Sequence, residues 1–233
     1  MSYISILLPL YNGIEFLNES LESIFLQTYI NYEIIIGING HYNDIDFFNN
    51  VNNIVNSLKL KYKNNNYDIV IFDFDFKSKS KTLNSMVKKT KYDYIALIDV
   101  DDKWVNNKLE LQIKYLENYD IIGTSCSYFG DIENYVPTIP YGDITNHNFL
   151  DYNPIINSSV LLKKNCAFWT EDDNIQLEDY DLWLRLKFEN KKFYNIDKIL
   201  CYHRIHRKSF FNNTNSNNIS ILKNKWHNLF NLI

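Results

Sequence analysis

The chain has only three cysteines in 233 residues, and their placement excludes two kinds of site. Cys126, Cys166 and Cys201 are odd in number, far apart and free of any C-x-x-C pairing, so neither a disulfide framework nor a thiolate zinc centre is encoded. Buried, reduced thiols are expected. Long hydrophobic runs are missing too: no stretch reaches the roughly 18 apolar residues of a membrane-crossing helix. Met1-Ser2-Tyr3 leads straight into an apolar segment with no basic leader or cleavage site, so a cytoplasmic location is expected, with any membrane contact peripheral. Charge of one sign is not in excess. The 24 Lys and Arg against 28 Asp and Glu leave a formal net charge of −4, which speaks against a general nucleic-acid binder. Glycine is scarce where a phosphate-cradling loop would need it, because Pro9-Leu10-Tyr11-Asn12-Gly13 holds a single one.

What is present is a chain 45% hydrophobic and long enough for one domain with a layered core. Ile4 to Leu10 reads as a strand, and Asn12-Gly13-Ile14-Glu15 as the N-cap of a helix whose Phe16, Leu17, Leu21, Ile24 and Phe25 recur at helical spacing. Glu33 to Ile38 is a second strand, and Phe47, Phe48, Val51, Ile54, Val55 and Leu58 form a second helical stripe. Asp68 to Phe76 is a third strand and Ser80 to Lys89 a third helix. This alternation predicts an α/β fold: a mainly parallel central sheet flanked by helices in a single domain, with ligand at the carboxyl ends of the strands. Further on, Leu109, Ile113 and Leu116 mark a helix, Asp120 to Phe129 and Asn157 to Leu162 strands, and Tyr180 to Phe188 a helix behind an acidic cap. Phe211 to Asn218 is an Asn-rich linker before a short amphipathic helix with Ile221, Leu222, Trp226, Leu229 and Phe230.

The run Ile95-Ala96-Leu97-Ile98-Asp99-Val100-Asp101-Asp102 ends a buried strand in three carboxylates within four residues. On a continuing strand Asp99 and Asp101 point the same way and Asp102 turns out of the sheet. Clustered carboxylates repel unless a cation sits among them, and a hard ion such as Mg2+ or Mn2+ takes oxygen ligands while leaving positions for diphosphate oxygens.

The order of motifs adds to this: Pro9-Leu10-Tyr11-Asn12, Gln27-Thr28, Glu33-Ile34-Ile35-Ile36, Asp99-Val100-Asp101-Asp102 and Glu178-Asp179-Tyr180-Asp181-Leu182-Trp183-Leu184-Arg185. From about residue 3 to residue 210 the chain resembles the family 2 glycosyltransferases of GT-A fold. The resemblance implies a domain over 1–210, with a nucleotide-sugar half (1–102) and an acceptor and catalytic half (103–210), before the tail at 211–233. It implies an inverting displacement from a nucleotide-diphosphate sugar, UDP-linked by preference, onto a hydroxyl of a glycan or glycoconjugate, with Mn2+ or Mg2+. Asp101 is then the first metal ligand and His206 a further one. Asp99 meets the ribose or a metal-bound water, and Asp102 is an alternative ligand. Asp179 is the general base, with Glu178 next in line; Asp179 reads equally as a helix N-cap.

Pro9, Tyr11 and Asn12 would frame the base. Asn39, in Ile38-Asn39-Gly40-His41, stands where the family carries an acidic uracil-reading turn, so it offers an amide to the base or simply makes a turn. Lys79 and Lys81 fall beside the donor, and Arg204 and Lys208 are phosphate partners on a closing loop, Tyr202 to Ser209. Asn157-Ser158-Ser159 would line the acceptor side, Trp104 the donor pocket, and Trp183 is core or a sugar platform. The last helix is expected to pack on its own domain, with Lys223 and Lys225 leaving a peripheral membrane or homodimer contact open. Two other readings compete: a nucleotidyltransferase, which calls for a Gly-rich loop, and a non-catalytic glycan- or nucleotide-binding domain, kept open by the altered turn.

Overall fold

The computed structural model describes residues 2–62, 68–172, 177–207 and 216–231. Its first part alternates as the periodicity predicts: β1 (Ile4–Leu10), α1 (Ile14–Phe25), β2 (Tyr32–Asn39), α2 (Ile45–Lys61), β3 (Asp68–Phe74), α3 (Lys79–Val87) and β4 (Tyr94–Leu97). The second part comprises β5 (Lys103–Trp104), α4 (Lys108–Gln112), β6 (Ile121–Gly130), β7 (Gly142–Asp143), a 3-10 turn at Asn157–Ser159, β8 (Leu161–Lys163), α5 (Glu178–Phe188), β9 (Phe193–Ile205) and α6 (Ser216–Phe230). One sheet runs through both parts in the order β3-β2-β1-β4-β8-β6-β9-β5, with β7 on β9. The pairs β3-β2, β2-β1, β1-β4 and β6-β9 are parallel, whereas β8 runs antiparallel to both β4 and β6. Every residue of β1 and β2 is buried because helices cover both faces, which is why these strands are continuous apolar runs. One layer packs α1, α2 and α4 under the sheet. The other packs α3, α5 and α6 above it.

The order β3-β2-β1-β4 places a topological switch between β1 and β4, where a crevice opens at the carboxyl ends. Pro9 fits there. Its register with β2 continues to Gly37, but pairing with β4 stops at Leu7 opposite Leu97, so the missing N–H costs no ladder bond on that side. Gly13, at φ +85, takes the cap position of α1 without a side-chain cap, in place of the expected Asn12 cap; the left-handed turn needs a residue without a Cβ.

Four other expectations are corrected. β4 ends before the carboxylates, because Asp102 N–H bonds Asp99 O at 3.1 Å and folds 99–102 into a turn. Asp102 therefore points inward and is 2% exposed. Residues 157–159 form a turn and not a strand, closed by Ser159 Oγ on Ile156 O at 2.7 Å. Asp179 lies inside α5, whose cap position is Leu177. Tyr202 to Ile205 belong to β9, paired with β6, and not to a loop. Of the tail, 211–215 and Lys208 lie outside the described residues. α6 packs on its own domain through Leu222 and Trp226, and Lys223 and Lys225 bond Asp151 O and Asp181. Among the described residues no helix is long and apolar enough to cross a membrane.

Beneath the crevice lies a buried polar network. Trp104, 3% exposed, is not a pocket wall: its Nε1 donates to Ser158 O at 2.6 Å, and the Lys108 ammonium lies 3.9 Å above its ring. Lys108, fully buried, donates to Gln112 Oε1 at 2.8 Å, and Gln112 Nε2 supports both Ile122 O and Ser159 O at 2.8 Å. Burial pushes the Lys108 amine down to about 7. The unfolded chain then binds the extra proton, so the stability penalty is full below about 7 and fades as pH climbs toward the ordinary lysine range. Lys108→Met is expected to gain stability relative to wild type at pH 6 and to lose that advantage by pH 10. Urea unfolding at the two pH values checks this.

Candidate active site

Three segments meet at the crevice: the 99–102 turn after β4, the start of α5, and the end of β9. Asp99 is held from below by the 157–159 turn, with its N–H on Ser158 Oγ at 2.9 Å and its Oδ2 taking Asn157 Nδ2 at 3.0 Å. From the side Lys79 reaches Asp99 Oδ1 at 2.8 Å and Glu178 Oε1 at 3.1 Å, bridging the crevice. Burial alone would raise the Asp99 carboxyl, but the Lys79 charge and hydrogen bond, with Asn157, hold it below the ordinary range. Desolvation likewise works against the Lys79 ammonium, and Asp99 and Glu178 together carry its pKa well above the usual lysine value.

Asp101 pairs with His206 Nε2 at 3.0 Å. Burial first, then the charges of Asp102 and Asp99, push the Asp101 carboxyl up. Asp102 anchors the end of β9: its oxygens take His203 Nδ1 at 3.1 Å and Arg204 N–H at 2.8 Å. Burial opposes a charge on His203, yet Asp102 and then Asp101 outweigh it and push the imidazole up to about 9. Arg204 donates Nε to Asp101 O at 2.9 Å, pairs with Glu19, and lies between Phe16 at 4.5 Å and Phe129 at 4.2 Å. Its fork is thus turned to the protein and supports the 99–102 turn.

Asp179 takes Tyr180 N–H at 2.7 Å. Burial, followed by the neighbouring Glu178 charge, pushes its carboxyl up to about 7. Tyr11 is 44% exposed at the mouth of the crevice beside Asn12. Its ring packs so tightly on Gly40, at φ +79, that a Cβ there would run into it. Asn39, 2% exposed, donates Nδ2 to Lys77 O at 2.9 Å. His41 Nε2 lies 2.5 Å from Tyr11 O, and its ring stacks on Phe47 at 3.8 Å. Lys81 stays in the first turn of α3, its N–H on the Ser78 cap; of the two lysines only Lys79 meets the carboxylates. Trp183 is fully buried core.

Among the described residues no group of three or more His, Cys, Asp or Glu side chains is placed to hold a metal ion. Asp101 and His206 make an oxygen-and-nitrogen pair on a site with surplus negative charge, as fits a hard cation that completes its shell with phosphate oxygens. The part of His203 was not foreseen; only its place beside Arg204 in Tyr202-His203-Arg204 hinted at it. Glu19 carried no local signal, since its partners Lys103 and Arg204 lie 84 and 185 residues away.

The model of the family described as "Glycosyl transferase family 2" matches residues 5–170. An uncharacterized glycosyltransferase of Rickettsia bellii is 29% identical over 196 residues, which cover 80% of this chain but 26% of the relative. The Escherichia coli UDP-Glc:alpha-D-GlcNAc-diphosphoundecaprenol beta-1,3-glucosyltransferase WfaP is 29% identical over 218 residues, covering 90% of this chain and 80% of the relative. Among solved structures, Staphylococcus aureus TarS 1-349 in complex with UDP-GlcNAc superposes with a TM-score of 0.69 at 13% identity, over 91% of this chain and 61% of that one.

The buried Asp102–His203 pair has a pH signature. Because the imidazole's folded pKa is raised, the pair's contribution is complete below about 6.5 and is lost as pH rises through about 9. Asp102→Asn is expected to destabilise by about 3–5 kcal/mol at pH 6, with the deficit shrinking by pH 9.5 in chemical denaturation.

Proposed function

The chain belongs to glycosyl transferase family 2, and on that premise we propose that it moves a sugar from a UDP-linked donor to a hydroxyl of a glycan or glycoconjugate, with inversion at the anomeric carbon. The observation that carries this is one crevice holding Asp101 with His206 at one wall and Asp179, pushed up to about 7, at another. A base for a hydroxyl works best when its pKa lies near the working pH. Asp179 accepts the acceptor's proton while that oxygen bonds to the anomeric carbon and the bond to the diphosphate oxygen breaks. Inversion follows from a single displacement. Negative charge grows on the departing UDP, and Mn2+ or Mg2+ bound by Asp101 and His206 would supply electrostatic stabilisation there.

The Asn39 amide supports uridine. A main-chain carbonyl only accepts, so Lys77 O fixes Nδ2 toward itself and leaves Oδ1 as the acceptor for the imide N–H of uracil. An amide locked in one orientation thus replaces the acidic turn of the family. Pro9, Tyr11 and Asn12 frame the base, and Asp99 faces the ribose. Asn157 Oδ1, buried and without a hydrogen-bond partner among the described residues, is an acceptor suited to a sugar hydroxyl. Lys79 bridges carboxylates that the donor would separate, which frees its ammonium for phosphate. In this reading residues 1–102 serve the donor and 103–210 the acceptor and the base, apart from His206, which joins Asp101 at the metal. The named substrates of WfaP, UDP-Glc and a lipid-linked GlcNAc, illustrate this class of donor and acceptor. An acceptor of that kind would bring the chain to a membrane surface peripherally.

UDP with Mn2+ is expected to raise the melting temperature, GDP or added chelator to do so far less, and Asp101→Ala to abolish the metal dependence. Stabilisation by UDP that is indifferent to metal would sink the metal assignment. Asp179→Asn is expected to keep UDP binding and to lower UDP release from a UDP-sugar by at least about 100-fold. In wild type that rate should rise with pH through about 7, as Asp179 loses its proton.

A further inference from the structure

The acidic motif that opens α5 contains a third carboxylate outside the crevice. Asp181 is fully buried, and its N–H closes the first turn of α5 on Leu177 O at 2.9 Å. Its side chain is filled by three donors from distant segments: Thr170 Oγ1 at 2.6 Å on Oδ2, and Trp226 Nε1 at 2.8 Å and Lys225 Nζ at 3.0 Å on Oδ1. Two of the three come from α6. Thr170 lies in a segment that α3 also grips, since Asn84 accepts Trp169 N–H and donates to Trp169 O and Glu171 Oε1, each at 2.8 Å. α3 begins at Lys79, so the helix of the crevice lysine and the helix of Asp179 are tied together at 169–171.

A carboxylate taken out of water is tolerated only with its hydrogen bonds complete, and for Asp181 completion depends on α6. The first turn of a helix has N–H groups without intrahelical partners and opens readily unless it is anchored. We propose that α6 is a working part of the site: by filling Asp181 through Trp226 and Lys225, it fixes the first turn of α5 and so holds Asp179 where it can take the acceptor's proton. Asp181, Trp226 and Lys225 are positioning residues. A displacement of about 1 Å in such a group costs on the order of 100-fold in rate. The role given to Asp179 rests on the sugar-transfer reading above, whereas the coupling of α6 to α5 does not.

Trp226→Phe removes a single donor and keeps an aromatic ring against Phe188 and Phe230, and Lys225→Met is the second variant. Three quantities are measured on the whole chain: hydrogen exchange over 178–184, affinity for UDP with Mn2+, and UDP release from UDP-glucose, UDP-galactose and UDP-GlcNAc. Exchange over 178–184 is expected to quicken at least about tenfold while β1 and β2 keep their protection. UDP release should fall by at least about tenfold with UDP affinity unchanged. A purely architectural contact would loosen the whole fold and leave turnover per folded molecule as in wild type. Unchanged exchange over 178–184 in both variants overturns the proposal, as does quickened exchange with wild-type turnover. If wild type releases no UDP from any of the three donors, the sugar-transfer reading fails, and the exchange result alone decides whether α6 holds α5.

Discussion

Five carboxylates, Asp99, Asp101, Asp102, Glu178 and Asp179, share one end of the sheet, and their mutual repulsion is the constraint around which the surrounding groups are arranged. Glu178 shares Lys79 with Asp99. Asp102 is neutralised by His203 and tied to the backbone of β9, so it serves structure. Asp99 is satisfied by Lys79, Asn157 and Ser158 and stays ionised. Asp101 and Asp179 have the least compensation, and burial with like charge drives both carboxyls up. These two raised carboxyls are the ones on which the proposed metal and general-base roles rest.

Such a site holds its shape only if the groups beneath it are fixed. Below Asp99 the 157–159 turn is carried by Trp104, Gln112 and Thr124, through Ser158 O, Ser159 O and Ser159 Oγ. Beside Asp179, Asp181 ties α5 to Thr170, Lys225 and Trp226. Each such hydrogen bond contributes only about 1 kcal/mol net, but a buried partner left unsatisfied costs about 1–3 kcal/mol. The networks therefore specify geometry more than they add stability. Lys108 makes the point: its amine is held near neutrality by burial, yet it completes Gln112, which completes the turn.

The alternation of strand and helix over the first hundred residues was legible because buried parallel strands and amphipathic helices differ in hydrophobic period. β1, α2 and β3 begin or end within a few residues of the boundaries read from periodicity. Legibility fell where local hydrogen bonds override pattern. The 157–159 turn and the 99–102 turn are closed by backbone and side-chain bonds that an apolar run conceals. β9 hid its end as well: Tyr202 to Arg204 are polar or basic, and only the pairing with β6 makes them strand.

The sequence by itself determined the fold class, the family, and the residue types gathered into motifs, because hydrophobic period and short-range spacing are properties of neighbours along the chain. It did not decide which carboxylate faces inward, which histidine meets which aspartate, or that Arg204 turns to Glu19 and the 99–102 turn. Asp101 and His206 are 105 residues apart, Asp181 and Trp226 are 45 apart, and Glu19 and Arg204 are 185 apart. Separations of that size leave no local trace, and the balance of burial against charge that sets each group's protonation exists only once the tertiary structure has brought these segments together.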